Sequence, residues 1–188
     1  MTRTAAAAAL AALLLLSGCA SQFAPPYSPS IENVQMLRDA GTGKVRVGSF
    51  RADPKTGNDE SISLRGLSLQ SPVGGKFSSY VAEALKSELA AARLIDDKAA
   101  VEIGGMLIRN NVDVSGISVG TGILQARVVV RRGGRVSYNK VVQADMTFES
   151  AFAGGVAVPK AIQAYPDLVQ KFLAKLYGDR DFISSLTR

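Results

Sequence analysis

Two alternating segments, Ile123–Arg132 and Arg135–Phe148, flank Gly133-Gly134, and this pair constrains the fold more than any other stretch of the chain. Period-two alternation on either side of a glycine turn predicts an antiparallel hairpin. Ala126, Val128 and Val130 share one face of the first strand; Val136, Tyr138, Val142, Ala144, Met146 and Phe148 share one face of the second. A two-residue Gly-Gly turn would set Val130 against Ser137 and send the two apolar sets to opposite faces. A one-residue slip inverts every side chain, so the pattern favours a three-residue loop, Arg132-Gly133-Gly134, with one glycine left-handed. Val130 then pairs with Val136 and Val128 with Tyr138, and Arg131 faces Arg135 on the outer surface. Like charges in that position are unfavourable unless an anion lies between them.

The remaining segments supply a sheet and its cover. Lys44–Phe50 alternates and reads as a first strand; Ile62–Leu69 reads as a second, with a bulge at Gly66. Val101–Ile108 is apolar on both parities, as a central strand requires. Asn110–Gly122 is glycine-rich and polar and reads as a loop or ragged strand end. Phe77–Ala92 is the clearest helix, with Phe77, Val81, Ala84, Leu85, Leu89 and Ala92 on one stripe. Val158–Leu176 has a helical pattern that Pro166 is expected to kink or restart, and Phe182, Ile183 and Leu186 should dock the tail. Ile31–Ala40 fits a short helix closed by Gly41. The predicted class is α/β (α+β), in the order β-β-α-β-β-β-α: a mixed, mostly antiparallel sheet with two helices packed on one face.

The amino terminus has a different character. Arg3 precedes Ala5–Leu16, an apolar run of alanine and leucine that would extend about 18 Å as a helix, too short for a bilayer core of about 30 Å. A basic start, a short apolar middle and small residues at the exit describe a secretory signal over residues 1–18. Leu16-Ser17-Gly18-Cys19 resembles the lipobox of bacterial lipoproteins, and Cys19 is the single cysteine of the chain. The resemblance implies acylation of Cys19 and anchorage in a bilayer, since several chains hold where one does not. Ala20 stands where the family's inner-membrane retention signal has aspartate, which implies the outer membrane with the body facing the periplasm. Ser21–Ser30, with its prolines and serines, reads as a tether, so residues 19–43 are assigned to a lipidated cysteine and flexible linker and 44–188 to one α/β domain.

Familiar catalytic chemistry is hard to build here. Gly116-Ile117-Ser118-Val119-Gly120 matches the G-x-S-x-G elbow, but that motif needs a strand before it, a helix after it and a histidine, and the chain has no histidine. Gly41-Thr42-Gly43-Lys44 ends like a phosphate-binding loop, yet Arg38 and Val45 occupy positions where that loop needs glycine and a hydroxyl. With neither histidine nor a spare thiol, a metal would have only carboxylates, and no cofactor is expected.

What remains is basic. The net charge is +6 with no concentrated stripe, and Arg127, Arg131, Arg132 and Arg135 crowd the hairpin. Arginine forks suit phosphate or carboxylate, while charges on an exposed strand also discourage edge pairing. Without interleaved aromatics, nucleic acid is not an expected partner.

Phe77–Leu89 leading into Leu94-Ile95, the strand with Ile103-Gly104-Gly105-Met106-Leu107, and the closing hairpin-helix unit ending Gly178-Asp179-Arg180-Asp181-Phe182 resemble small periplasmic α/β lipoproteins. These are the YajG-like family and the auxiliary lipoproteins of envelope ABC transporters. The resemblance implies a non-enzymatic adaptor and carries over no catalytic residue. The leading expectation is therefore an outer-membrane-anchored binding or assembly module of an envelope complex or a lipid/polysaccharide export path, with a protein partner. An autonomous binder of anionic glycolipid or phospholipid, using the arginine hairpin, is the alternative; a histidine-free periplasmic hydrolase is the third.

Overall fold

The computed structural model describes residues 21–187. Cys19 and the signal-like segment lie outside them. In chain order the elements are β1 (Ser21–Phe23), α1 (Ile31–Asp39), β2 (Arg46–Ala52), β3 (Ser61–Leu64), β4 (Leu67–Gln70), α2 (Phe77–Ala91), β5 (Val101–Asp113), β6 (Val119–Arg132), β7 (Arg135–Glu149), α3 (Gly154–Tyr177) and α4 (Arg180–Thr187). The principal sheet has the order β2-β5-β6-β7, with β2 parallel to β5 and the other pairs antiparallel. A small sheet of order β1-β4-β3 stands beside it. This is the α+β class predicted, with α2 and α3 covering one face of the main sheet.

The hairpin solves its parity problem differently from the expectation. The turn is the two-residue one: Arg132 pairs with Arg135, and Gly133 and Gly134 both have positive φ, at 54° and 83°. The register then shifts between Val130 and Arg131, so that Arg131 opposes Val136 and Val130 opposes Tyr138. A bulge absorbs the odd residue, leaving Val136 on the exposed side and Tyr138, Val142 and Ala144 inside. The sequence alternation is satisfied, but by a defect within the strand instead of a longer loop.

Three other expectations change. Ile62–Leu69 is a hairpin, not one bulged strand: Arg65 and Gly66 form a tight turn, both at positive φ. Asn110–Gly122 is largely strand, because β5 continues to Asp113 and β6 begins at Val119. Pro166 does not end a helix; α3 runs unbroken from Gly154 to Tyr177 with Pro159 and Pro166 inside it. A proline in a helix interior costs about 3 kcal/mol. Leu168, Phe172, Leu173 and Leu176 continue the buried stripe in phase beyond it, each contributing about 1.5–3 kcal/mol by burial, so the helix persists.

The largest revision concerns Ser21–Ser30, which is no flexible tether. Ser21, Gln22 and Phe23 pair in parallel with Ser68, Leu69 and Gln70, the Ala24 amide continues the ladder to the Gln70 carbonyl, and Ala24 is buried. Beyond it the segment is clamped by Glu88, a fully buried carboxylate on α2. Its Oε1 accepts from the Tyr27 hydroxyl at 2.5 Å, the Asn33 amide side chain at 3.0 Å and the Ser30 backbone N–H at 3.1 Å. Asn33 also donates to the Gln170 carbonyl at 3.0 Å, joining α1 to α3. A continuous apolar core extends from Ala24 to Leu186.

Candidate functional site

With both large helices on the inner face, the outer face of the main sheet is open. Its composition follows from the register. Pairing of Met106 with Arg127, and of Arg127 with Val141, sets one outward row; Arg51 pairs with Met106 in the same row. The next row towards the hairpin contains Gly104, Val129 and Asn139, and the one beyond it Glu102, Arg131 and Val136. On the other side lie Arg109, Gln125 and Gln143, then Asn111, Ile123 and Asp145.

The four arginines predicted as a cluster separate into three environments. Arg127 lies mid-sheet and donates to the Asn139 side chain at 3.1 Å. Arg131 is exposed opposite Glu102, which is already in an ion pair with Arg46 at 2.6 Å. Arg132 sits on the other parity: its Nη2 reaches the Leu186 carbonyl at 3.4 Å and its buried Nε has no partner, so it braces α4 and not a ligand. Arg135 is exposed at the turn. The pairing of Arg131 with Arg135 expected from sequence does not occur, and Arg132 takes that place.

Arg51 and Arg109 join this face from β2 and β5. Sequence reading missed both because they are isolated in the chain, and only strand pairing brings them beside Arg127. Arg127 and Arg131, four residues apart on one strand, are separated by about 13 Å. Arg109 and Arg127 are diagonal neighbours on adjacent strands, about 7–8 Å apart at the backbone. The register thus spreads these guanidiniums over several rows of the face.

A second polar cluster latches α4. The Tyr138 hydroxyl donates to Asp179 at 2.9 Å, and Lys140 bridges Asp179 at 3.0 Å and Asp181 at 2.7 Å. Burial pushes the Asp179 carboxyl up, but the bonds from Lys140 and Tyr138 outweigh it and hold the group below the usual carboxylate range. Burial, reinforced by Asp179, raises the Tyr138 phenol. At Glu88, burial and then the carboxylate's bond and charge raise Tyr27 far above a free phenol. The buried Tyr177 hydroxyl feels the same carboxylate and burial drives it well up, although neither it nor Glu88 Oε2 makes a well-formed hydrogen bond. Both clusters tie elements of the fold to one another. Ser118 of the G-x-S-x-G segment lies in a turn where its carbonyl accepts from the Ser150 amide, and β6, not a helix, follows it.

A two-layer α+β body with one bare, arginine-bearing sheet face defines the class of protein. Its fold is shared with protein XCC0632 from Xanthomonas campestris (DUF330), at a TM-score of 0.58 and 9% identity over 87% of this chain and 96% of that one. A "putative lipoprotein" from Caulobacter crescentus CB15 is also similar, at a TM-score of 0.46 and 11% identity over 81% and 93% of the two chains. The likeness is one of fold. No family model matches the sequence, and no curated protein does. No helix among the described residues is long and apolar enough to cross a membrane.

Proposed function

We propose that this chain is an acylated envelope lipoprotein, held through Cys19 on the periplasmic face of the outer membrane, whose body is a non-enzymatic binding or assembly module. The open outer sheet face carries the reading: Arg51, Arg109, Arg127 and Arg131 are spread over three neighbouring strands without a layer above them. A solvated polar face is ordinary for an antiparallel sheet. The distribution of charge here is not balanced, however, since Glu102 is taken by Arg46 and, of the outward rows, Asp145 is the carboxylate nearest Arg109. Electrostatic complementarity of that kind guides an acidic protein segment or anionic polymer into register. The resemblance of Leu16-Ser17-Gly18-Cys19 to a lipobox supports the envelope setting.

The anionic-lipid reading retains Arg131 and Arg135, exposed near the hairpin tip. That tip lies at the opposite end of β6 from Val119, about 43 Å away along the strand. The chain enters the fold near the Val119 end, so a ligand at the hairpin would be presented away from the anchoring bilayer. This favours the adaptor.

Replacing Arg51, Arg127 and Arg131 together with glutamine should abolish co-purification of protein partners from gently solubilised envelopes while leaving the protein in the membrane fraction. Undiminished capture of the same partners would overturn the binding face. Independently, Cys19→Ser should release the protein from membranes; a variant that still sediments with them would overturn the anchor.

A further inference from the structure

Strand β1 is parallel to β4, and Ser21 lies beside Ser68, so the chain enters the fold next to the Arg65–Gly66 turn that opens β4. Among the described residues Arg65 is one of two non-glycine residues at positive φ (49°), a conformation disfavoured for a side chain of this size. Its guanidinium is what the strain accompanies. Nη1 donates to the carbonyls of Ala151 at 3.1 Å and Phe152 at 2.6 Å, and Nη2 to that of Gly116 at 3.0 Å. One side chain thereby ties three loops into a single tip. The Ser150 amide, bonded to the Ser118 carbonyl at 2.9 Å, adds a second tie.

That tip is apolar where it should be polar. Phe152 is 81% exposed, Ile117 71% and Val156 47%, each projecting from a loop or helix start that Arg65 holds in place. Scattered exposed apolar residues need no explanation, but a phenylalanine and an isoleucine on two loops tied by one arginine at the same end do. Two residues separate Cys19 from Ser21 in the sequence, a reach of at most about 7 Å, so an anchor at Cys19 would hold the body by this end.

We infer that Ile117, Phe152 and Val156 form a membrane-insertion tip, entering the headgroup–acyl boundary beside the lipid anchor and fixing how the body stands on the bilayer. The inference rests on acylation of Cys19 for its occupant: the surface nearest the anchor is committed to lipid. The arginine-bearing hairpin then points into the periplasm.

The test uses the native, acylated full-length product, in which Cys19 is blocked and an introduced cysteine is the single labelling site. Ile117→Cys, Phe152→Cys and, at the far end, Ser137→Cys are labelled with an environment-sensitive fluorophore and reconstituted on phosphatidylethanolamine/phosphatidylglycerol vesicles. Blue-shifted, quencher-protected emission at 117 and 152 but not at 137, unchanged by salt, is expected. Vesicle-bound protein with water-like emission at 117 and 152 would overturn the tip while leaving the anchor intact. A shift present without vesicles and growing with protein concentration would assign the patch to a second copy and overturn it also. Failure to bind vesicles, with an unmodified thiol at Cys19 by intact mass, would overturn both readings together.

Discussion

Substitution of Glu88 isolates the largest departure of this fold from what its composition advertises. Glu88→Ala removes the acceptor shared by Tyr27, Ser30 and Asn33 and leaves three donors without it in a buried site. Removing one partner from a buried charged network typically destabilises by about 3–5 kcal/mol. Domains of this kind have only about 5–15 kcal/mol in total, so the loss is large. With a urea m-value of about 2 kcal/mol/M, the unfolding midpoint should fall by roughly 1.5–2.5 M. Glu88→Gln keeps the accepting oxygen, removes a buried charge and presents an amide where Oε2 now lacks a bond near Tyr177. It should remain within about 1 kcal/mol of the parent. Hydrogen exchange distinguishes local release from general loosening: in the alanine variant the amides of Ala24–Asn33 should lose protection first. An alanine midpoint within about 0.3 M of the parent, or exchange unchanged in that segment, would refute the clamp.

Other consequences can be checked more briefly. The Asp179 carboxyl is held low in the folded state, so its contribution exists above the unfolded carboxylate pKa and disappears as pH falls through the folded value. Asp179→Asn should therefore lower stability slightly near neutral pH, by about 1 kcal/mol or less, with the gap to the parent closing in paired melts as the pH falls below the ordinary aspartate value. Phe182 is fully buried against Tyr138 and Tyr177, and Phe182→Ala should destabilise by about 3–5 kcal/mol in denaturant titrations. At the hairpin turn Gly134 has φ 83°, and Gly134→Val should destabilise by at least about 1 kcal/mol; a neutral result in thermal melts would contradict the two-residue turn.

The class, the inner stripes of α2 and α3 and the central β5 were legible because hydrophobic period reports burial directly. The hairpin was legible in its faces but not in its register. From Tyr138 onward a loop residue and a bulge satisfy the same parity; the pairing of Arg132 with Arg135 and the outward position of Val136 distinguish them. Ser21–Ser30 was misread because its docking depends on one distant carboxylate. Glu88 falls within the apolar stripe, one position before Leu89 and three after Leu85, which is the signal a charge-in-stripe search would have found. Arg51 and Arg109 became candidates only when strands remote in sequence were laid together. Arg132 ceased to be one because it continues the inward parity of Val128 and Val130 along β6 and meets α4.

The parallel pairing of β1 with β4 also has a mechanical meaning. A pull on the body transmitted through a lipid anchor would draw β1 lengthwise past its neighbour, loading its ladder bonds in concert instead of peeling them open one after another. The Glu88 clamp lies in series behind that ladder. Were the chain anchored upstream of Ser21, drag on the body would thus reach the rest of the molecule as torque and tilt, with no slack in Ser21–Ser30 to absorb it.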